Sequence, residues 1–231
     1  MGSESERYVT LCDDVIANGP LPWRAGNRIP SMGGTMTAES VEQSRWPMPP
    51  TDGYTVDDLF TLPDLPPHTE LIDGSLVLVS PQRYFHFTAI DLLVSGLRRT
   101  IPSDFKVARE MTVVLDRRNG PEPDISVVRA EAKKGPLQTR FMGEDVVMAV
   151  EVVSPESESR DRHTKPHKYA AAGIRHFWLV DMANPNLHPV IEVYELAHVT
   201  GTYALTGIYH DRIKVDVPYA IDIDLTAIDE L

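Results

Sequence analysis

The sequence predicts an α/β fold of the α+β type, in which helices flank a mixed β-sheet. Apolar runs of strand length recur between residues 107 and 194, and a helical segment that ends at Gly173 lies between two of them. A strand, a crossover helix and another strand are typical of a mixed sheet. The chain has 231 residues, of which 42% are hydrophobic and 24% charged, so it can form one domain with a substantial core.

Residues 1–52 differ from the rest, and we expect them to form a flexible N-terminal extension before a single domain over residues 53–231. They are rich in Gly, Ser, Pro and Glu and show neither helical nor strand periodicity. Such a segment buries too little apolar surface to offset its ordering entropy. Translation that starts at Met36 would remove most of it.

The chain is expected to reside in the cytoplasm. Its N-terminus has no basic region followed by an apolar stretch, so it does not resemble a secretion signal. No apolar run approaches the roughly 20 residues that a membrane-spanning helix needs, so no membrane association is expected. The single cysteine, Cys12, excludes an internal disulfide and a cysteine-based zinc site.

The first elements of the domain are short. Residues 55–62 predict a helix with Thr55 as N-cap and Asp58 as the capping-box acid. Residues 70–79 predict a hairpin that turns on an Asp-Gly pair, and residues 84–100 carry apolar residues at helical spacing. The remaining predicted elements are strands at 107–115, 125–128, 146–153, 176–180 and 190–194, a loop at 130–145 and a helix at 164–172.

Three charged residues in these elements could form one cluster. Asp124 stands at the start of one strand, and Glu151 lies within the apolar run of another. A glutamate there would be buried at a cost of several kcal/mol unless a cation compensates. Lys165 follows at the start of the next helix. Two oxygen ligands and a cation suit a divalent metal that acts on a phosphodiester, so the pattern favours a nuclease.

Each of these residues also has a simpler interpretation when it is taken alone. Glu151 could form an ordinary salt bridge in a partly exposed strand. Asp124 could be a turn acid, which is common after proline. Lys165 could be a surface lysine. The nuclease hypothesis therefore depends on the three residues meeting in space.

The helix around Lys165 allows two starts. A start at Asp161 places Asp161 and Lys165 one turn apart on the same face. A start with Thr164 as N-cap places Pro166 in the first turn, where proline is tolerated, and leaves Asp161 in the preceding loop. The second start fits the sequence better.

Several phrases, in this order, resemble the Uma-type restriction endonuclease family of the PD-(D/E)XK nuclease-like superfamily, over roughly residues 54–221. They are Glu70-Leu-Ile-Asp-Gly74, Pro123-Asp124, Glu151-Val-Val-Ser-Pro155, Asp161-Arg-x-x-Lys165, Tyr169-Ala-x-Ala-Gly-Ile174 and Phe177-Trp-Leu-Val-Asp181. The resemblance implies a restriction-endonuclease-like core with an added N-terminal hairpin and C-terminal strands. It also implies endonucleolytic hydrolysis of DNA with Mg²⁺ or Mn²⁺.

The resemblance also implies roles for individual residues. Asp124 and Glu151 would be metal ligands, with the carbonyl of Val152 as a further ligand. The superfamily's lysine usually stands two positions after the second acid, where this chain has Val153. Lys165 would therefore take over the role of offsetting the charge that develops on the phosphate.

Two further acids belong to the predicted catalytic set. Asp161 would orient Lys165. Glu70 is either a third acid that reaches the metal or the partner of an arginine near the hairpin, and the pairing is slightly favoured. By analogy with restriction-like nucleases, a homodimer is also expected.

The formal net charge of −12 opposes binding to nucleic acid, because affinity for phosphates comes mainly from Lys and Arg. The charge therefore motivates a second function, a catalytically silent nuclease-fold module that binds nucleic acid or a partner. A hydrolase of RNA or a nucleotide is a third possibility. Clustering of basic residues would favour the nuclease, and the candidates are Arg98-Arg99, Arg117-Arg118, Lys133-Lys134, Arg160, Arg162, Lys165 and Lys168.

Overall fold

The computed structural model of the protein describes residues 48–79, 81–182 and 188–231. The predicted extension over residues 1–52 lies almost entirely outside the described residues, so it stays a prediction. None of the helices in the described ranges has the length and the apolarity needed to cross a bilayer.

A mixed six-stranded sheet lies at the centre of the domain, as predicted. Its strand order is β10-β9-β8-β7-β5-β3. Only β7 and β8 run parallel, and the other neighbours pair antiparallel. A parallel pair needs a crossover connection, which the segment that contains α3 supplies. The strands are β3 (Phe105–Arg109), β5 (Ile125–Arg129), β7 (Val146–Val152), β8 (His176–Met182), β9 (Pro189–Ala197) and β10 (Thr202–Tyr209).

Smaller elements complete the domain. The predicted hairpin is confirmed as the antiparallel pair β1–β2, and the predicted C-terminal strands include the antiparallel pair β11–β12. A third small pair, β4–β6, is parallel. The bounds are α1 (Asp58–Thr61), β1 (Glu70–Ile72), β2 (Ser75–Val77), α2 (Tyr84–Thr100), β4 (Thr112–Val114), β6 (Arg140–Met142), α3 (Lys165–Ala171), β11 (Arg212–Val215) and β12 (Ile221–Asp224).

The two faces of the sheet carry separate apolar cores. One core contains side chains of α2, β7 and β11–β12, among them Leu93, Val150 and Val152. The other contains Tyr169 of α3 and Ala149 of β7. Side chains alternate between the faces along a strand, so Glu151, between two valines of the α2 face, points to the α3 face. This alternation brings a carboxylate to the crossover helix.

The predicted strand at 107–115 is two strands rather than one. Glu110 has φ 50°, and this left-handed backbone separates β3 from β4. The predicted loop at 130–145 contains β6, which pairs with β4 and so could not be recognised without its partner. The first helix is shorter than predicted and its N-cap position is Asp57 rather than Thr55, but a contact between Thr55 and Asp58 is present. The N–H and Oγ1 of Thr55 donate to Asp58 Oδ2 at 2.6 and 2.8 Å.

Thr164 occupies the N-cap position of α3, as predicted, but it makes no side-chain capping bond, and the residues before it are helical rather than the expected loop, so Asp161 lies in a helical turn. Arg160–Thr164 form a π-helical turn that continues into α3, and the Lys165 N–H donates to the carbonyl of Arg160. Pro166 lies in the first turn of α3, directly after the π turn. The π turn thus accommodates the proline while Asp161 stays one turn before Lys165.

Candidate functional site

An acidic pocket lies where β1, the start of α2, the start of β5, the end of β7 and the π turn meet. Its cavity volume is about 70 Å³. Seven carboxylate side chains line it, together with basic residues that include Lys165, His68 and His86. We call this site the acidic pocket; its carboxylates are Glu70, Glu110, Glu122, Asp124, Glu151, Glu156 and Asp161.

Glu151 is among the most enclosed of these carboxylates, with 1% of its surface exposed. Lys165 Nζ donates to its Oε2 at 3.0 Å, and the hydroxyl of Tyr169 donates to its Oε1 at 2.5 Å. Burial raises the pKa of Glu151 well above its usual value, and the attraction of Lys165 offsets this only in part. The buried glutamate foreseen from the sequence is therefore compensated by a lysine and a tyrosine.

Lys165 lies at the centre of three carboxylates. Its Nζ is 2.9 Å from Glu70 Oε1, 3.0 Å from Glu151 Oε2 and 3.2 Å from Asp161 Oδ1. Burial by itself would lower the pKa of Lys165, but the three carboxylates outweigh it and raise the pKa well above its usual value. Lys165 is therefore a charged ammonium that the surrounding acids hold in place.

Asp161 contacts Lys165 as predicted, although the contact is not a directed hydrogen bond. Its Oδ1 is buried and has no hydrogen-bond partner among the described residues, despite the 3.2 Å ion pair. Burial raises the pKa of Asp161, with Lys165 acting in the opposite direction. Asp161 is therefore an acid with spare capacity to accept a bond from a ligand or a water molecule.

Asp124 connects the start of β5 to the end of β7. Its Oδ2 accepts a 2.6 Å hydrogen bond from the N–H of Val152, and its Oδ1 is 3.3 Å from His86 Nε2. Burial disfavours charge on His86, but the hydrogen bond to Asp124 and the negative charges of Asp124, Asp161 and Glu110 together outweigh it and raise the pKa of His86. Val152 thus meets Asp124 through its N–H, while the role of its carbonyl as a ligand stays a prediction.

Glu70 enters the pocket because β1 lies against the segment that leads to β5. A bridge between Leu71 and Gly120 brings the two together, and the N–H of Glu122 donates to Glu70 Oε1 at 2.8 Å. The predicted pairing of Glu70 with an arginine near the hairpin is wrong, since its cation is Lys165. Only the tertiary pairing of β1 could show this.

Several residues of the pocket have roles that the sequence analysis missed. The hydroxyl of Tyr169 donates to Glu151, a contact that the sequence did not indicate. The imidazole of His86 contacts Asp124. Glu122 contacts His68. Its position between the two prolines just before Asp124 could have indicated from the sequence that it belongs to the site. No sequence signal indicated Glu110, because only the tertiary structure brings it to the pocket. There its N–H donates to the carbonyl of Asp124.

The acids of the pocket fit a hard divalent cation. Negative charge exceeds positive charge around Lys165, and the raised pKa values of Glu151 and Asp161 reflect this surplus together with burial. Within the described part of the chain, no three or more His, Cys, Asp or Glu side chains form a ready-made metal cage. Mg²⁺ needs only one or two carboxylates because it keeps several waters, so the donor set suits Mg²⁺ or Mn²⁺.

Comparison with known proteins places the chain in a family. The model of the Uma2 family, described as "Putative restriction endonuclease", matches residues 56–226. The chain belongs to the Uma2 family. This confirms the resemblance in the sequence, and the family description and the fold together support nuclease activity in general.

A solved structure has the same fold. It is the crystal structure of a "putative nuclease belonging to DUF820" from Anabaena variabilis, which superposes with a TM-score of 0.60 at 17% sequence identity. The alignment covers 76% of this chain and 97% of that chain. No curated protein matches the sequence. The Uma2 domain therefore has the restriction-endonuclease-like nuclease fold that the sequence predicted.

Proposed function

We propose that this protein is a Mg²⁺- or Mn²⁺-dependent endonuclease that hydrolyses phosphodiester bonds of DNA in the acidic pocket. The observation that carries the proposal is the position of Lys165. It lies among Glu70, Glu151 and Asp161, beside the hydrogen bond that joins Asp124 to the end of the Glu151 strand. Two acids and a cation that are far apart in the sequence thus meet in one cavity.

Asp124 and Glu151 are the acids that would hold the metal, with the Val152 carbonyl as a further ligand. When bound, the cation would polarise the scissile phosphate and lower the pKa of a bound water. Asp124 is suited to this role because its side chain is 14% exposed in the pocket, while the N–H of Val152 fixes its orientation.

Lys165 would stabilise the negative charge that develops on the phosphate in the transition state. Its ammonium group is already fixed by three carboxylates, so no reorganisation is needed when the charge appears. Glu70 and Asp161 would act through Lys165 as positioning residues, and Tyr169 would position Glu151.

Cleavage of supercoiled plasmid tests the proposal. Wild type is compared with Asp124→Asn, Glu151→Gln and Lys165→Met in Mg²⁺, Mn²⁺ or EDTA, and Glu144→Gln, an exposed acid outside the pocket, is the matched control. Metal-dependent nicking should be lost in the three pocket variants and kept in the control. Equal activity in EDTA, or full activity of folded Asp124→Asn, would refute the proposed site.

The catalytically silent module is the second candidate, and one observation favours it. Both carboxylate oxygens of Glu151 are already bound by protein groups, Lys165 and Tyr169. Calorimetry with Mn²⁺ separates the two functions. Binding that is lost in Asp124→Asn and Glu151→Gln, with no cleavage of plasmid or RNA, would support the silent module. Sedimentation of the same samples tests the proposed homodimer.

A further inference from the structure

A second cavity, of about 640 Å³, lies along β3 at the edge of the central sheet. We call it the basic groove. Every charged side chain that lines it is basic, although the whole chain carries a net charge of −12. Its basic residues are Arg98, Lys106, Arg109 and Lys133, and its apolar residues are Ile101, Val107, Ala108, Met111, Val128, Pro136 and Phe141.

Three of the four cations in the groove form no ion pair with an acid of the described residues. Among the described residues, Arg98 Nη2 donates to the carbonyl of Val107 at 3.4 Å, and Lys106 Nζ donates to the carbonyl of Ser103 at 3.2 Å. Lys133 is exposed and forms no ion pair with any described residue. Arg98, Lys106 and Lys133 therefore offer positive charge to a ligand.

Arg109 joins the groove to the acidic pocket. It lines the groove, and its Nε donates at 2.8 Å to Glu110, which lines the pocket. The strand register pairs Arg109 with Ile125, the residue after Asp124. The groove thus begins where the pocket ends and continues along β3 for about 13 Å, which is the axial span of about four nucleotides of one DNA strand.

We propose that the basic groove binds the sugar–phosphate backbone of the DNA strand whose scissile phosphate lies in the acidic pocket. This inference rests on the proposed function, because it takes the pocket as the place of cleavage. The unneutralised cations would bind successive phosphates, and the apolar floor, which includes Met111 and Phe141, would contact sugars or bases.

The measurement is the salt dependence of binding to a labelled 30-base-pair duplex in EDTA, where no metal-dependent cleavage occurs. The groove variant carries Arg98→Ala, Lys106→Ala and Lys133→Ala. The control variant carries Arg117→Ala, Arg175→Ala and Lys214→Ala, which remove the same charge from exposed positions outside the groove. All six side chains are exposed, so both variants should fold, and unfolding curves check this.

The groove variant should bind more weakly than wild type at low salt. Its slope of log K against log salt concentration should be shallower by about 2 to 3, because each phosphate contact contributes about 0.9. The control variant should keep the slope of wild type. The inference would be overturned if the groove variant kept the slope of wild type, or if the control variant lost as much slope as the groove variant. It would also be overturned if binding by wild type did not depend on salt.

Two further comparisons distinguish failure of the proposed function from failure of the groove proposal. A wild type that binds DNA through the groove but does not nick plasmid in Mg²⁺ or Mn²⁺ refutes the proposed function and supports the groove. Nicking by wild type with unchanged DNA binding by the groove variant refutes the groove alone. Wild type could instead bind labelled polyglutamate more tightly than the duplex. If that binding were lost in the groove variant, the ligand of the groove would be an acidic polypeptide rather than DNA.

Discussion

The acidic pocket and the basic groove are neighbours with opposite electrostatics. In the pocket, Lys165 is 5% exposed and contacts three carboxylates, whereas Lys106 and Lys133 in the groove are exposed and contact no carboxylate in the part of the chain that the structure describes. The two regions meet at the Arg109–Glu110 pair, which has one residue in each. The net charge of −12 therefore does not describe the groove, because the acids of the pocket and the cations of the groove occupy separate surfaces.

A lysine has a different effect in each region, because it is buried in the pocket and exposed in the groove. A buried ammonium interacts strongly with nearby carboxylates, and removing it leaves them without a partner in a poorly solvated place. An exposed ammonium contributes little to stability because water and salt screen it. We therefore expect substitutions in the pocket to affect folding and metal binding, and substitutions in the groove to affect DNA binding alone.

The largest effect is expected for Lys165→Met, which should lower the free energy of unfolding by about 3–5 kcal/mol, because it leaves buried carboxylates without their cation. Lys168→Met is the control on the same helix. Lys168 pairs at 2.6 Å with Asp73, whose side chain is 68% exposed, so its loss should cost no more than about 1 kcal/mol. Urea unfolding measures both, and equal losses would contradict the central role of Lys165.

The second-largest effect on the free energy of unfolding is expected for metal binding. Free Mn²⁺ at a hundred times its Kd should raise the free energy of unfolding by about 2.7 kcal/mol relative to EDTA. The gain should vanish in Asp124→Ala and persist in the groove variant, since only the pocket contains the proposed ligands. Urea unfolding at fixed free Mn²⁺ gives the comparison, and a gain retained by Asp124→Ala would place the metal elsewhere.

Tyr169→Phe should cost about 1–3 kcal/mol, because it leaves a buried carboxylate oxygen of Glu151 without its donor. Tyr203→Phe is the matched control. Its hydroxyl donates at 2.7 Å to the neutral carbonyl of Ile174, so its loss should cost only about 0.5–1.5 kcal/mol. Thermal unfolding of both variants measures the difference, and a smaller loss for Tyr169→Phe would deny it a special role in holding Glu151.

The smallest effect on stability is expected in the groove. Lys106→Met and Lys133→Met should each change the free energy of unfolding by less than about 0.5 kcal/mol, because both side chains are exposed and neither pairs with a described acid. The same variants should weaken binding to the duplex. A loss of several kcal/mol of stability would show that these lysines support the fold rather than a ligand.

Local patterns were enough to predict much of the fold. The Asp-Gly turn of the β1–β2 hairpin, the apolar spacing of α2 and the apolar runs of β5, β7 and β8 each act over a few residues, and each prediction is confirmed. The break at Glu110 and the π turn before Lys165 were missed. Both depend on how the backbone meets distant segments, which short-range preferences do not encode.

The candidate site also has some contacts that the sequence could predict and others that only the tertiary structure shows. A glutamate inside a valine-rich strand indicated that Glu151 needs a cation, and Lys165 supplies it. The partners of Glu70 and the hydroxyl contact of Tyr169 could not be predicted, because the pairing of β1 and the packing of α3 bring them together. The catalytic and metal-binding roles of these residues stay predictions.

The sequence by itself determined the mixed sheet, the Uma2 family and the chemical types of the central cluster, because these follow from local periodicity and from motifs in a fixed order. Tertiary structure alone decided which acids share Lys165 and where free positive charge collects. The groove takes its cations from α2, β3 and the segment before β6, and only their packing at the edge of the sheet makes one surface of them.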